Sequence, residues 1–64
     1  MIDPLEKAKQ CECTIKDCTD PQRKIILTNL QKLWIAIAYE RARGLRNWLV
    51  EAESIDKLHA DLVG

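Results

Sequence analysis

Several things are scarce or missing in this sequence. It has only two glycines and two prolines, while 47% of the residues are hydrophobic and 31% are charged. That balance argues against a disordered chain and against a loop-rich, disulfide-stapled scaffold. No stretch approaches the ~20 apolar residues of a spanning helix, because Asn29, Gln31 and Lys32 interrupt the most hydrophobic region. The start, Met-Ile-Asp-Pro-Leu-Glu, lacks the basic region, apolar core and small-residue cleavage site of a signal peptide, so a cytoplasmic protein is expected. Ten basic residues balance ten acidic ones, and no overall charge drives the chain toward nucleic acid or an anionic membrane. There is one histidine, no internal repeat and no catalytic or cofactor motif.

With 64 residues the chain makes one small domain, 1–64. Domains of this size bury only about 60% of the surface that the unfolded chain exposes, and they usually need disulfides, a metal or self-association. The hydrophobic pattern predicts an all-α fold. Asp3 before Pro4 is a helix start, since Asp caps and Pro suits the first helical position. A first helix over 4–18 then places Leu5, Ala8, Cys11, Ile15 and Cys18 on one stripe. Thr19-Asp20-Pro21-Gln22 begins a second helix over 21–42, with either Thr19 or Asp20 as its cap. So short a connection predicts an antiparallel helical hairpin.

The second helix contains Leu33 to Tyr39, seven consecutive apolar or aromatic residues. Leu27, Leu30, Trp34 and Ile37, widened by Ile26, Leu33 and Ala38, form its core-facing side. Ile25, Ile35, Ala36 and Tyr39 fall 120 to 180 degrees away at about 100 degrees per residue, so one neighbouring helix cannot cover them all. Gly44 behind Arg41 and Arg43 suggests a C-terminal cap. The competing reading is one long helix, because Trp34, Arg41, Trp48, Ile55 and Leu62 recur every seven residues and an internal glycine costs only about 1 kcal/mol. A slip in the companion stripe favours the break. The expected third helix covers 45–62, burying Leu45, Trp48, Leu49, Ala52, Ile55, Leu58 and Leu62. The complete expectation is a hairpin plus a C-terminal helix, finished as a homodimeric helical bundle around Leu27, Leu30, Trp34, Ile37, Leu45, Trp48 and Ile55.

The segment Asp17-Cys18-Thr19-Asp20-Pro21-Gln22-Arg23, followed by Leu27, Leu30 and Trp34, resembles a group of short bacterial proteins of uncharacterised function. These pair a Cys-bearing first helix with a Thr/Ser-Asp-Pro turn and a Leu/Trp-bearing second helix. The resemblance spans residues 7 to 40 and implies the hairpin. It brings no activity or site residues.

Candidate chemistry is sparse. Cys11, Cys13 and Cys18 have the spacing C-x-C-x4-C, but on a helix Cys13 lies about 200 degrees from Cys11, so the three thiols do not converge on a metal. No metal, cofactor or intramolecular disulfide is expected, and Cys13 is a candidate redox thiol on the surface. His59 sits on the inner edge of the third helix, with no spacing that pairs it to a cysteine. Glu51, Glu53, Asp56 and Asp61 read as a solvated face.

Charge is unevenly spread. Residues 1–22 carry three basic and five acidic side chains, residues 23–46 six and one, and residues 47–64 one and four. A basic middle between acidic ends fits neutralisation within an assembly. A non-enzymatic protein-protein interaction or regulatory protein acting by self-association is therefore expected, with Trp34, Ile35, Tyr39, Trp48 and Ile55 as interaction residues. The alternative is a small nucleic-acid-binding regulator using Arg41, Arg43 and Arg46. An acidic third helix, which would repel phosphate, weighs against it.

Overall fold

A computed structural model describes residues 2–63 as three α-helices: α1 (Pro4–Asp17), α2 (Pro21–Ala42) and α3 (Trp48–Val63), with no strand among the described residues. None of the helices is long and apolar enough to cross a membrane. Both expected helix starts use the same device. Asp3 Oδ1 accepts from the backbone N–H of Leu5 at 3.1 Å, and Asp20 Oδ1 from that of Gln22 at 3.0 Å. Each aspartate satisfies a donor that the first turn leaves unpaired, and each is followed by a proline at the first helical position. Asp20, not Thr19, is the cap of α2.

The chain does not continue as one long helix through Gly44. Gly44 adopts φ +77°, and its N–H donates to Arg41 O while the N–H of Leu45 donates to Glu40 O, both at 3.0 Å. This pair of bonds is a Schellman motif, which closes α2 on its own last carbonyls. The left-handed position suits glycine because it has no Cβ to clash. Helix α3 starts at Trp48, three residues later than the periodicity predicts.

Helix α2 is the spine. Its 22 residues reach about 33 Å at 1.5 Å per residue, close to the full 37 Å length of a molecule only 17 Å across. Asp3 beside α1's first turn lies 3.7 Å from Arg41 near the end of α2, and Arg23 in α2's first turn donates to the carbonyl of Leu62 near the end of α3 at 2.7 Å. Contacts at both ends of α2 thus fix its two neighbours. The core between the helices is Ala8, Cys11, Leu30, Trp34, Ile37 and Ala52, flanked by Ile2, Trp48, Ile55, Leu62 and Val63. Leu27 is also fully buried. Burying a Leu or Ile side chain contributes about 1.5–3 kcal/mol, so Leu27, Leu30 and Ile37 are principal stabilisers.

Six expectations about burial are corrected. Leu5 of α1 and Ile26 and Leu33 of α2 are exposed. In α1 it is Pro4, with Ala8 and Cys11, that turns inward. In α3, Leu49 and Leu58 are exposed, as is Leu45 in the connection, whereas Ala52 and His59 are fully buried. The inward side of α3 is Ala52, Ile55, His59 and Leu62, spaced 3, 4 and 3. The rotation follows from His59, whose hydrogen bonds to the other two helices hold it in the core.

Candidate functional site

Two features stand out beyond the core: the side of α2 facing away from it, and a polar cluster buried inside it. On the outer side of α2, Ile25 is 63% exposed, Ile35 39% and Tyr39 70%. These are the residues that helical geometry turns away from the core. Leu5 of α1, 58% exposed, joins Ile35, Ala38, Tyr39 and Ala42 in lining an open apolar groove of ≈ 270 Å³ between α1 and α2. A second groove runs between α2 and α3, walled by Leu33, Ala36, Val50 and Ile55. Large exposed apolar surfaces of this kind mark places where something packs.

Glu40 and Glu51 meet beside this second groove. The Glu51 carboxyl as a hydrogen-bond partner, then burial, then the Glu51 charge push the Glu40 carboxyl above its ordinary value. A neighbouring carboxylate disfavours ionisation of this group, as a like charge does. Glu51 is therefore not simply part of a solvated face. The second Glu40 oxygen is shielded and has no partner among the described residues.

The structure separates the residues expected to interact. Trp34 is fully buried, so it belongs to the chain's own core and not to an outward surface. The same holds for Leu27, Leu30 and Ile37, which the expected dimer core had included. Ile35 and Tyr39 are on the outside, and Trp48 and Ile55 are half-buried at the edge of the core. The three arginines also divide. Arg41 pairs with Asp3 and stacks on the Trp48 ring, its guanidinium carbon 5.4 Å from the ring centroid, a cation–π arrangement. Arg43 and Arg46 are exposed and form no ion pair among the described residues.

The thiols lie apart: Cys11 is buried, Cys13 exposed and Cys18 intermediate, with its Sγ 3.5 Å from Asp20 O. No cluster of three metal-ligating side chains occurs among the described residues.

The buried polar cluster centres on His59. The Trp34 indole N–H donates to His59 Nδ1 at 3.1 Å, the Cys11 Sγ lies 3.5 Å from that same nitrogen, and His59 Nε2 is 2.9 Å from Gln10 Oε1. The two rings meet edge to face, with centroids 5.6 Å apart and planes at 82°. An indole N–H can only donate, so Nδ1 carries a lone pair and the proton sits on Nε2, where it donates to Gln10. His59 is thereby held neutral in one tautomer. Burial, followed by the positive charge of Lys7, keeps its pKa below the ordinary value, while Asp56 pulls the other way. Lys7 and Asp56 are themselves paired at 2.9 Å across α1 and α3.

A cysteine beside a histidine invites comparison with nucleophilic pairs, but this arrangement opposes that chemistry. To take the thiol proton, Nδ1 would have to give up the Trp34 N–H and set two N–H groups against each other. Burial also raises the Cys11 thiol above its ordinary value, outweighing the attraction of Lys7, so sulfur is kept as a thiol rather than the reactive thiolate. The cluster is a satisfied polar core joining all three helices.

No protein family, curated protein or solved structure matches this chain. Its surfaces alone must carry the functional argument. Sequence reasoning missed the His59 cluster, although one signal was present: a tryptophan on the core stripe needs an acceptor for its N–H, and His59 lay on the facing stripe.

Proposed function

We propose that this chain is a non-enzymatic interaction or regulatory protein that works by self-association: an antiparallel helical hairpin with a third helix, completed as a homodimer by a second copy. In this reading it is a cofactor-free cytoplasmic protein, akin to the short bacterial proteins of uncharacterised function that its turn sequence resembles. The observation that carries the reading is the outer side of α2, where Ile25, Ile35 and Tyr39 are left open to water. Surface area supports it. The chain exposes 4686 Å², whereas size scaling gives about 4200 Å² for a 7.4-kDa monomer. A second copy suits this face for two reasons. A chain this small is marginal alone, and its basic centre and acidic ends are complementary between copies.

Ile35 and Tyr39 are the central contacts, with Trp48 and Ile55 at the margin, and Trp34 contributes only by holding α2 in shape. Sedimentation equilibrium on the full chain tests the proposal. A mass of twice the chain in the micromolar range is expected, and a clean monomer throughout that range rejects it.

A nucleic-acid reading draws on one observation, that Arg43 and Arg46 are exposed without ion-pair partners among the described residues while Arg41 is engaged. Two cations give a small footprint, because each phosphate contact adds only a modest, salt-sensitive increment. In a low-salt mobility-shift assay, retardation that is lost on Arg43→Glu with Arg46→Glu would favour this reading over self-association alone.

A further inference from the structure

The His59 cluster has a property that self-association does not use. Beside Nδ1 stand the Trp34 indole N–H at 3.1 Å, which can only donate, and the Cys11 thiol at 3.5 Å. The side chain is 3% exposed, so water cannot replace a lost bond without structural opening. Adding a proton at Nδ1 therefore turns the bond to Trp34 into an N–H facing an N–H. We propose that α3 is an acid-released latch, in which protonation of His59 at Nδ1 breaks its bond to Trp34 and frees the third helix from α1 and α2 as a unit.

The surroundings set the direction of the response. From α1, Lys7 adds positive charge and Cys11 is a neutral thiol, while Gln10 offers Nε2 only an uncharged acceptor. From α2, Trp34 brings no charge. On α3 itself, Asp56 favours the proton, but it is already engaged with Lys7. Burial and Lys7 prevail, and the docked helix binds the proton less well than the released one. The sign follows: α3 is fully latched above the ordinary histidine value, and the latch weakens as pH falls from there toward the depressed value of the docked state. One proton per opening makes the opening constant rise by up to about tenfold per pH unit in that window.

Helix α3 is suited to come away alone. The α1–α2 pair retains its three-residue connection, its aspartate caps and the Asp3–Arg41 contact without it. Release uncovers Trp34 and Ile37 and joins them to Ile25, Ile35 and Tyr39 outside. Acid would thus make α2 apolar and accessible on more than one side.

The test is amide hydrogen exchange by NMR on the full chain, with protection factors followed from pH 7.5 to 4.5. In the expected result α3 loses protection by up to about tenfold per pH unit below pH ~6.5, and α1 and α2 keep theirs. His59→Gln should remove the pH response of α3. Gln10→Glu, at an exposed position that leaves the core intact, should shrink it, because a carboxylate beside Nε2 stabilises the imidazolium. Loss of protection in all three helices together would overturn the latch, as would an α3 response unchanged in Gln10→Glu or in a folded His59→Gln protein.

Discussion

The two sides of α2 are made of similar residues and have opposite fates. Leu27, Leu30, Trp34 and Ile37 are fully buried, while Ile25, Ile35 and Tyr39, a half-turn away on the same helix, stay open to water. Hydrophobicity does not distinguish them. The difference is the reach of the rest of the chain: α1 and α3 together cover one side of a helix and then run out. In a 64-residue chain the apolar surface exceeds what two further helices can hide, and the excess is where a partner has something to gain.

The inner side is the more sensitive of the two. Trp34→Ala should cost about 3–5 kcal/mol by opening a cavity and removing the donor to His59. That is most of the stability a domain this small is expected to have, so circular dichroism should show an unfolded or barely folded chain. The matching change on the outer side should leave the fold intact. Ile35→Asp is expected to weaken the proposed dimer by at least about 30-fold, the effect of losing one ~2 kcal/mol contact, and by more if both copies lose a separate contact, as read by sedimentation equilibrium. Unchanged association of Ile35→Asp would instead move the partner surface to the groove walled by Leu33, Val50 and Ile55.

Smaller effects are expected where the helices meet. Gly44→Ala places a Cβ at φ +77°, with nothing within 4 Å to clash, so only the backbone penalty of about 1–2 kcal/mol applies. The chemical-denaturation midpoint should fall accordingly. Smallest is Glu51→Lys, which replaces a like-charged neighbour of Glu40 by a cation. In the wild type Glu40 holds its proton more tightly when folded, so its contribution is present at low pH and is lost as pH rises through its raised value. The variant should therefore melt higher than wild type at pH 8, with the advantage shrinking toward pH 4.

The helix starts and the stop at Gly44 were legible because they rest on local chemistry. An aspartate before a proline caps a helix within three residues, and a glycine after a cationic turn ends one. The two-sided character of α2 was legible too, since it follows from 100 degrees per residue and a list of apolar positions. The rotation of α3 was not. In a hydrophobic pattern Leu49 and Leu58 outrank His59, and the pattern cannot register that a histidine with three partners in the core is cheaper to bury than to expose. Leu5 was misjudged for a related reason, because Pro4 is less apolar by pattern yet is the residue that is buried. Which arginine finds a partner depended on contacts between α2 and the two ends of the chain, Asp3 with Arg41 and Leu62 with Arg23, that no local rule reaches.

The separation in sequence between His59 and its partners also bears on how the chain folds. Cys11 and Gln10 lie 48 and 49 residues from it, whereas α1 and α2 are joined by residues 18–20. Closing a loop of 48 residues costs roughly 2.5 kcal/mol more than closing one of three, so docking α3 directly onto a free α1 is the slow route. Once α1 and α2 have met, α3 needs only to close the 43–47 connection. The expected order is α1 with α2 first and α3 last, and until that final step the Trp34 indole N–H has only water to bond. Its fluorescence is the natural clock for the last event in folding, provided Trp48 is first replaced by phenylalanine.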